Sequence, residues 1–578
     1  MKPRLGAVAA VVCIGGGLVV PAASAGPAVA SAPDHGWAAV PAAARGPIAA
    51  VLARDQREAA SVAVGQTTLS APGEAANDAF GTSVAVSGTT IVVGEPFHTV
   101  GSHTEQGVAY VFQRPATGWK GAHQTATLTV SDGITHDRFG FSVAIEGSTI
   151  VVGAVQATVD GHAGQGAAYV YRRPAKGWTT TSHPAAVLTD SAGAAGSELG
   201  YDLALDGTTI VVGDPDFNDF AGLADVYVAP AGGWQTTSHP TATLTRFGSL
   251  AFDEFGLSVA VEGSTIVVGA PDQDDTGAAY IFQKPTDGPW TSTANARFLV
   301  SSGASGAVFG LSVAISGTTV VVAASEQPVD AQAKAGAVYV FRRPTTGWGV
   351  GNSASLTATA TLTESIPTAQ DELGTAVAIE GKTVLASSPD HMVGGAVEQG
   401  AIYRFIEPTI GWSSESQTDV LVGAGGHAGD QFGYGMAATG STIVAGATGR
   451  TSTRGTAYVF APRPPTLSAV KQAHKSWHLG TNPRSVNPAH PPRGGTSFRF
   501  ALSQSATISL VFAEKHGKHL VKRGTLSVHG KAGANAVYFA GKISHGKHLT
   551  PGHCKVTITA TNRNGTSRSR TLRFTTKP

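Results

Sequence analysis

The chain has 578 residues, of which 73 are glycine, 42% are hydrophobic and only 14% are charged. A chain of this length exceeds one ordinary core, so at least two folded units are expected. The composition excludes a disordered chain, which would be poor in apolar residues, and is typical of a β-rich protein with many tight turns.

The N-terminus has the pattern of a secretory signal peptide, which we place at 1–25. Lys2 and Arg4 supply positive charge, residues 5–20 are apolar, and small residues at 23–25 form a cleavage motif. The mature protein is therefore expected to be secreted and extracellular, either free or associated with the cell envelope. No later stretch approaches the ~18 apolar residues of a membrane-spanning helix, so no transmembrane segment is expected after cleavage. An uncleaved membrane anchor is the alternative.

Two cysteines occur, and only one of them belongs to the mature chain. Cys13 lies in the apolar stretch, so Cys554 has no partner for an intrachain disulfide. Cys554 alternates with Val556 and Ile558, which predicts a strand residue that points inward as a small hydrophobe. A reactive or intermolecular thiol is the alternative.

A unit of 54 to 64 residues is repeated seven times. Each copy begins with an anchor residue, phenylalanine or leucine, that precedes a glycine, and a second glycine follows the anchor by eight positions. The anchors are Phe80, Phe139, Leu199, Phe255, Phe309, Leu373 and Phe432. Within each copy, four short β-branched or alternating stretches are separated by glycine and proline turns, with no helical period. This pattern predicts one four-stranded propeller blade in each copy.

The ends of the repeat array predict how it closes. An apolar residue of the fourth strand lies eleven positions before the next anchor, and Leu69 has the same spacing to Phe80 although no blade precedes it. The seventh copy stops after its third strand at Phe460, where prolines interrupt the pattern. The strand around 67–69 should therefore complete the last blade, which would leave no open sheet edge. We predict an all-β protein with a seven-bladed β-propeller closed by its N-terminal strand.

The repeat resembles the bacterial form of the FG-GAP repeat, which is also found in the integrin α-subunit propeller. The matching residues are Phe255-Gly256 at the start of one unit and Gly269-Ala270-Pro271 at the end of its second strand. The second motif is weaker in other copies, as in Ala323-Ala324-Ser325 and Ser387-Ser388-Pro389. The resemblance implies the propeller fold and leaves the function open.

The C-terminal part has a different composition. Residues 466–578 contain 18 lysines and arginines against one acid, Glu514, and the rest of the chain contains 22 basic and 38 acidic residues. Alternating apolar runs separated by turn signals predict a β-sandwich, and it is similar to the immunoglobulin-like modules that end many secreted bacterial proteins. The expected segments are the signal peptide 1–25, an N-terminal linker 26–60, the propeller 61–462, a proline-rich linker with a candidate first strand 463–495, and the basic sandwich 496–578.

Calcium is not expected at the positions where the resemblance would place it. The integrin-type loops lie between the first two strands, and here that connection is a bare glycine turn with too few oxygens. Acidic residues do occur in the loop after the second strand, and they are interpreted as solvated. They are Asp214, Asp216, Asn218 and Asp219 in the third copy, and Asp272, Asp274 and Asp275 in the fourth.

We assign an acidic residue to the position two before the anchor in six copies, and only Ala307 breaks the series. We assign these acids to one equivalent position: Asp78, Asp137, Glu198, Asp253, Asp371 and Asp430. In a propeller the first strand starts beside the central channel, so these carboxylates could ring one channel mouth and bind a cation or a basic ligand. The alternative is that each one caps local backbone N–H groups at the entry to the strand.

Other motifs carry no chemistry that we can assign. The two HGKH segments, 516–519 and 545–548, are interpreted as exposed hairpin turns, with a transition-metal site as the alternative. The sequence has no nucleophile elbow, no zinc-protease motif and no phosphate loop. We therefore expect no catalytic residues, no metal and no cofactor.

The favoured function is that of a secreted or surface-associated binding protein of the adhesion type, expected to be a monomer. The propeller would recognise an extracellular protein or glycan through its variable loops, and residues 466–578 would attach to anionic envelope polymers. One alternative is a secreted propeller enzyme that acts on polysaccharide. Another is a structural protein or one associated with extracellular DNA, since basic charge does not distinguish among polyanions.

Overall fold

A computed structural model describes residues 64–71, 73, 75–116, 118–246, 250–292, 296–298, 304–348, 355–462, 465–480, 485–486, 495–543, 547–562 and 565–578. The predicted signal peptide and the linker 26–60 lie outside these residues. Among the described residues, no helix has the length and apolar character needed to cross a membrane.

The protein is all-β, and its first thirty strands lie in the repeats. They are β1 (Val64–Leu69), β2 (Val84–Ser87), β3 (Thr90–Glu95), β4 (Val108–Gln113), β5 (Gln124–Leu128), β6 (Phe139–Glu146), β7 (Thr149–Ala154), β8 (Ala167–Arg172), β9 (Ala186–Leu188), β10 (Leu203–Asp206), β11 (Thr209–Asp214), β12 (Leu223–Val228), β13 (Ala242–Leu244), β14 (Val259–Glu262), β15 (Thr265–Ala270), β16 (Ala278–Gln283), β17 (Ala296–Phe298), β18 (Phe309–Ser316), β19 (Thr319–Ala324), β20 (Ala337–Arg342), β21 (Ser355–Leu356), β22 (Ala360–Thr363), β23 (Val377–Glu380), β24 (Thr383–Ser388), β25 (Ala401–Ile406), β26 (Glu415–Ser416), β27 (Asp419–Leu421), β28 (Phe432–Thr439), β29 (Thr442–Ala447) and β30 (Thr456–Pro462). Helical turns occur at Phe217–Phe220, Gln273–Asp275 and Arg450–Thr453.

These strands form seven separate sheets in the described part of the chain. The strand orders are β2-β3-β4-β5, β6-β7-β8-β9, β10-β11-β12-β13, β14-β15-β16-β17-β21, β18-β19-β20-β22-β26, β23-β24-β25-β27 and β1-β30-β29-β28. Consecutive strands of a repeat pair antiparallel, whereas β21 and β26 add a parallel fifth strand. None of these sheets closes on itself.

The second strand of each sheet is buried on both faces. All six residues of β7, for example, are buried, and its β-branched threonine, isoleucine and valines suit that environment. The first and second strands are joined by a two-residue turn, as between the partners Ser87 and Thr90. Gly88 in that turn has a φ of 57°, which explains the invariant glycine eight positions after each anchor.

The two glycine motifs of the repeat meet each other across neighbouring sheets. The backbone carbonyl of Gly310, in one anchor pair, packs so closely on Gly269 of the preceding sheet that a Cβ atom on Gly269 would overlap it. The same contact joins Gly446 of the last sheet to the carbonyl of Gly81 in the first. The first strands also contact one another in series, including β28 with β2. The last repeat therefore packs on the first as any repeat packs on the next.

The N-terminal strand occupies the place that the spacing predicts. β1 is the outer strand of the sheet β1-β30-β29-β28, whose other three strands come from the end of the repeat array. Leu69 is 1% exposed. Leu128 and Leu188, which have the same position in the outer strands of two other sheets, are fully buried.

The chain divides into two compact units. The first contains Thr68–Gln113 and His123–Phe460, and the second contains Arg114–Ala122, Ala461–Pro578 and most of β1. The segment 463–495, expected to be a linker with one strand, contains three: β31 (Leu467–Gln472), β32 (Ser476–His478) and β33 (Ser485–Val486). Leu467 of β31 and Trp477 of β32 are buried in the core of the second unit, and β33 pairs with a strand of one of its sheets.

The second unit has two sheets around one hydrophobic core. Its remaining strands are β34 (Thr496–Leu502), β35 (Ala506–His516), β36 (His519–Gly530), β37 (Gly533–Phe539), β38 (Gly552–Asn562), β39 (Gly565–Thr566) and β40 (Arg570–Lys577). The sheets have the orders β31-β34-β37-β33 and β32-β40-β38-β35-β36, with β39 paired to β38. Cys554 is 3% exposed in this core, which confirms that it points inward. Burial raises the pKa of its thiol, which disfavours the reactive thiolate.

Candidate functional site

A cavity of about 190 Å³ lies where the first strands of all seven sheets converge. One side chain at the same position of each repeat lines it: Val84, Val143, Leu203, Val259, Val313, Val377 and Met436. The lining also contains Asp202, the one acidic residue among the described residues of this wall. Ser83 and Ser312 also line the cavity, and most of the surface exposed to it is polar.

Asp202 carries the unusual electrostatics of the cavity. Its carboxylate accepts hydrogen bonds from the backbone N–H groups of Val259, at 2.8 Å, and Leu203, at 2.9 Å. Burial nevertheless raises the pKa of Asp202 to about 7, because these two bonds lower it less than the loss of water raises it. Asp202 therefore changes charge near neutral pH. In the sequence, Asp202 stands out because it departs from the repeat. Four other repeats have a serine at this position: Ser83, Ser142, Ser258 and Ser312.

The acids that precede the anchors cap local turns. The carboxylates of Asp78, Asp137, Asp253 and Asp430 each accept the backbone N–H group three residues earlier, at 2.7–2.9 Å. This is the arrangement that the capping interpretation describes. In the described part of the chain none of the six assigned acids belongs to the cavity lining.

Glu198 was assigned to the wrong position. It directly precedes its anchor, and its φ of 64° matches the 54° of Ala79 and the 56° of Arg138, which also directly precede theirs. Ser197 occupies the acid position of the third repeat, and its hydroxyl accepts the N–H group of Ala194 at 3.1 Å. Glu198 instead accepts a hydrogen bond from the side-chain amide of Gln156.

The partner of each capping acid differs among the repeats. In the fourth repeat Nε of Arg246 lies 2.5 Å from Asp253, and in the seventh Nη1 of Arg450 lies 3.0 Å from Asp430. In the first and sixth repeats a histidine takes the place of the arginine. In these four repeats the charge beside the entry turn therefore depends on which basic residue faces the acid.

The pocket of the first repeat contains Asp78, Glu95 and His98. Nδ1 of His98 lies 3.1 Å from Oδ2 of Asp78 and 3.1 Å from Oε2 of Glu95. Glu95 is fully buried, whereas 21% of the His98 side chain is exposed. Burial raises the pKa of Glu95 against the lowering effect of His98, and Glu95 in turn raises the pKa of His98.

The pocket of the sixth repeat contains Glu364, Asp371 and His391. Nδ1 of His391 lies 3.0 Å from Oδ2 of Asp371, and the hydroxyl of Ser388 donates to Glu364 at 3.0 Å. Burial raises the pKa of Glu364 well above its ordinary value, and the neighbouring charge of Asp371 adds to this rise. Among the described residues, these two pockets are the places where three histidine and carboxylate side chains converge closely enough to hold a metal ion.

The acidic residues of the third repeat are only partly solvated, contrary to expectation. Asp214 is 0% exposed and neither of its carboxylate oxygens has a hydrogen bond, while Asn218 and Asp219 are exposed. Burial, together with the charge of Asp225, raises the pKa of Asp214 well above its ordinary value. Burial also raises the pKa of Asp225 to about 7. The acids Asp272, Asp274 and Asp275 are exposed, as expected.

The loops at one end of the sheets are joined by backbone hydrogen bonds. The loop after each second strand pairs with the entry turn of the next repeat, as in Arg138 N–H to Glu105 O at 3.0 Å and Gln431 N–H to Glu398 O at 2.9 Å. The N–H group of Ala79 donates to the carbonyl oxygen of Thr453 at 3.0 Å, so the same kind of pairing also joins the last repeat to the first. We call this surface, formed by the entry turns and the loops after the second strands, the loop face.

The loop face exposes large apolar side chains. Six of them are at least 46% exposed: Ile134, Leu250, Phe252, Ile366, Met392 and Val397. The ring of Phe252 stacks on Phe220 of the neighbouring loop, with centroids 5.8 Å apart and an interplanar angle of 13°. These six residues come from the second, fourth and sixth repeats.

The histidine turns of the second unit are as expected where the structure describes them. His516 and His519 flank a hairpin turn between β35 and β36, and both are exposed. His545 lies outside the described residues. Glu514, the one acid of this unit, is buried and bound by Arg523 and Thr550. Although burial opposes the change, the hydrogen bonds from Thr550 and Arg523 lower the pKa of Glu514.

Comparison with protein-family models identifies the repeat. The model described as FG-GAP repeat matches residues 64–112, 122–171, 241–282, 292–341 and 416–460. The chain therefore contains FG-GAP repeats. The two unmatched repeats are those whose anchors are Leu199 and Leu373 rather than phenylalanine. Each matched segment includes the outer strand before its anchor, so the model treats β1 as the counterpart of β5.

Comparison with solved structures finds distant similarities. The chain is similar to PorZ, a bacterial surface component of the type-IX secretion system of Porphyromonas gingivalis, with a TM-score of 0.39 and 10% identity. The match covers 88% of this chain and 61% of PorZ. It is also similar to the periplasmic gluconolactonase PpgL of Pseudomonas aeruginosa, with a TM-score of 0.38, 13% identity, and coverage of 60% and 86%. No curated protein matches the chain.

Proposed function

We propose that this protein is a secreted or envelope-associated binding protein, in which a seven-bladed FG-GAP propeller recognises an extracellular protein through its loop face. The observation that carries the proposal is the set of exposed apolar side chains on that face. It rests on no resemblance to a particular adhesin. The signal-peptide pattern of the N-terminus supports the extracellular location.

The seven-bladed propeller is supported by three features of the first unit. The seven sheets follow the seven anchors, the last sheet packs on the first through Gly446 and Gly81, and one cavity is lined from all seven sheets. A radial arrangement of sheets around an axis accounts for all three. It also places every entry turn on the same side, because every first strand starts at that end.

The apolar residues of the loop face favour a protein ligand over a glycan. Ile134, Leu250, Ile366 and Met392 are aliphatic, and such side chains gain most when they are buried against a complementary protein surface. Glycan recognition depends more on aromatic faces beside polar groups, and here Phe252 offers one such ring. A protein ligand is therefore the proposal, and a glycan is the other outcome of its test.

The second unit supports attachment to an anionic polymer. On β38 and β40, Lys555 is in register with Arg573, and both lie on the solvent side of the sheet. Like charges directly opposite each other destabilise a sheet, so their presence favours a bound polyanion that would relieve the repulsion. We propose an immunoglobulin-like sandwich whose β38–β40 surface binds anionic envelope polymers.

The test compares the full chain with two variants in capture experiments. Phe252→Asn combined with Leu250→Ser removes two apolar side chains from the loop face, and asparagine tolerates the φ of 71° at Phe252. Ile410→Ser is the matched control, since Ile410 is 90% exposed in the turn between β25 and β27, at the opposite end of its sheet. Extracellular proteins and a glycan array are offered to each form.

The expected result is a protein that the wild type and Ile410→Ser retain and that the loop-face variant loses. Selective retention of a glycan would show that the ligand is a glycan rather than a protein. Equal retention by all three forms would show that the loop face does not bind, and the proposal would then be abandoned.

A further inference from the structure

In the entry-turn pockets of the first and sixth repeats, two carboxyl groups face one histidine. In the fourth and seventh repeats one arginine faces one carboxylate, through Arg246 with Asp253 and Arg450 with Asp430. In the first repeat two carboxylates, Asp78 and Glu95, face only His98. Even a protonated histidine neutralises only one of them, and buried charge without compensation is costly. A cation in the pocket would remove this imbalance.

Glu95 provides a second and independent indication of a ligand. It is 0% exposed, yet neither of its carboxylate oxygens receives a hydrogen bond of good geometry, although His98 and Tyr110 lie close. The backbone alternative is absent too, because Glu95 ends the buried strand β3, whose N–H groups pair with β2 and β4. A buried carboxylate without a well-formed hydrogen bond is uncommon, and Glu95 lies beside a histidine and a second carboxylate.

The geometry of the first pocket suits a small tetrahedral ion. The two contacts of His98 Nδ1, with Oδ2 of Asp78 and Oε2 of Glu95, are each 3.1 Å. Zinc bonds of about 2.0–2.2 Å to nitrogen and oxygen place neighbouring tetrahedral ligands roughly 3.3–3.6 Å apart, so a small outward movement would admit the ion. The exposed fifth of the His98 side chain leaves a route for entry and room for a water as fourth ligand.

The ligand types select among cations. One imidazole nitrogen with two carboxylate oxygens is a set that zinc and its neighbours in the first transition series accept. Calcium prefers six to eight oxygens and gains little from a nitrogen, and magnesium keeps an octahedral shell of oxygen. The pockets therefore differ in position and in chemistry from the calcium loops of integrin-type repeats, which lie between the first two strands.

The sixth repeat supplies the same three ligand types, but one of them comes from a different part of the chain. His391 follows Asp371 by twenty residues, as His98 follows Asp78. Each histidine ring also meets a repeat tyrosine edge-on. The ring centroids are 5.8 Å apart for His391 and Tyr403, and 6.4 Å apart for His98 and Tyr110. The second carboxylate comes from Glu364, just beyond the outer strand β22, rather than from the end of a second strand. The same three ligand types therefore converge twice although one of them has a different origin.

We propose that Asp78, Glu95 and His98 bind a zinc-class divalent ion, and that Glu364, Asp371 and His391 bind a second one. Both ions would lie beside entry turns of the loop face and would take the role that arginine has in the fourth and seventh repeats. They would tie a loop after the second strand to the entry turn of its own repeat. The proposal does not depend on the binding function proposed above.

The test measures zinc stoichiometry on the untagged full chain after treatment with a chelator. Equilibrium dialysis against Zn²⁺ and elemental analysis should find two ions per chain. His98→Asn and His391→Asn should each leave one ion, and the double variant should leave none. His136→Asn is the matched control, because His136 is a loop-face histidine with a 62% exposed side chain that contacts only Glu105. It should still bind two.

Two further measurements separate loss of a ligand from loss of the fold. Glu95→Gln keeps the shape of the side chain but removes its charge, and it should weaken zinc binding at the first site by about tenfold or more with an unchanged circular dichroism spectrum. Co²⁺ should give visible absorption bands in the wild type that the double histidine variant lacks, and excess Ca²⁺ should not remove them.

Two results would overturn the proposal. One is a wild type that binds no zinc while Glu95→Gln raises the melting temperature, since the pocket would then hold a shared proton. The other is a double histidine variant that still binds two ions, which would place them elsewhere, for example on the histidines of the second unit. A single ion removed only by His98→Asn would support the first site and overturn the second.

Discussion

The hydroxyl of Ser83 donates a 2.8 Å hydrogen bond to the carbonyl oxygen of Gly140, and so joins the first strand of one sheet to the anchor pair of the next. Ser142 makes the same bond to Gly200 at 2.6 Å, and Ser258 makes it to Gly310 at 2.8 Å. Because the acceptor belongs to an anchor glycine, each bond couples two repeats rather than two strands of one sheet.

Ser258→Ala should lower the free energy of unfolding by about 1–3 kcal/mol, since it leaves the buried carbonyl of Gly310 without its donor. Denaturant unfolding of the full chain, with the melting of the repeats followed by circular dichroism, measures the change. Ser131→Ala is the control, because Ser131 is exposed, and it should stay within about 0.5 kcal/mol of the wild type. Equal effects of both substitutions would contradict the prediction.

Gly269→Ala should be among the most destabilising single changes in the repeats. Its Cβ would overlap the backbone carbonyl of Gly310, which cannot move away as a flexible side chain would. We expect a loss of at least about 3 kcal/mol, or failure to fold. Ala323 occupies the same position of the fifth repeat, so Ala323→Gly should cost only about 1 kcal/mol. Thermal unfolding of both variants tests the pair, and a well-folded Gly269→Ala protein would refute the packing argument.

Asp202 should make stability depend on pH between about 4 and 7. Its pKa is about 7 in the folded protein, above the ordinary 3.8, so the folded state binds the additional proton in this range. Stability should therefore fall as the pH rises from about 4 to 7 and stay level above that. Asp202→Asn, which resembles the protonated acid, should unfold like the wild type at pH 4.

At pH 8 the Asp202→Asn variant should be more stable than the wild type, by no more than about 4 kcal/mol, the value of the full shift. Water that reaches the cavity would reduce this gain. Urea unfolding at the two pH values measures it, and the exposed Asp132→Asn is the control. A gain that is the same at pH 4 and pH 8 would exclude titration of Asp202 as its source.

Asp137 separates the capping role of the entry acids from ligand binding. Its Oδ2 accepts the N–H group of Ile134 at 2.7 Å, so Asp137→Ala should cost about 1–2 kcal/mol of stability. No histidine lies twenty residues later, where Ala157 stands, so the variant should retain two zinc ions per chain. Asp371→Ala should lower stability and also remove one ion. Loss of zinc from the Asp137→Ala protein would mean that the entry acids act together, as the channel-mouth hypothesis requires.

The basic surface of the second unit should bind polyanions in a salt-dependent way. Lys555→Gln combined with Arg573→Gln removes two charges that face each other in register. Binding of the full chain to polyphosphate or DNA should weaken, and the slope of log affinity against log salt should decrease by about 1 to 2. The matched control is Lys471→Gln with Arg499→Gln, an exposed basic pair in register on β31 and β34 of the other sheet. An unchanged slope in the first variant would exclude this surface as the anchor.

The repeat was readable from the sequence because its determinants are local. The anchors, the turn glycines and the β-branched strands recur at fixed spacing, and Leu69 could be placed in the last sheet from spacing alone. Strand propensity and glycine conformation act over a few residues, so a single copy is enough to indicate a four-stranded unit. The recurrence of the pattern in seven copies strengthens that prediction. The capping role of Asp137 was foreseen for the same reason, since the bond spans three residues.

What the tertiary structure decided depends on distances that spacing does not encode. Asp214 is buried while Asp219 is exposed, although both belong to one acidic loop. His391 meets Glu364 only because packing brings chain segments of different origin together, whereas His98 and Glu95 are three residues apart in the chain. Burial and convergence of side chains are properties of that packing, and they determine where protons and cations are held.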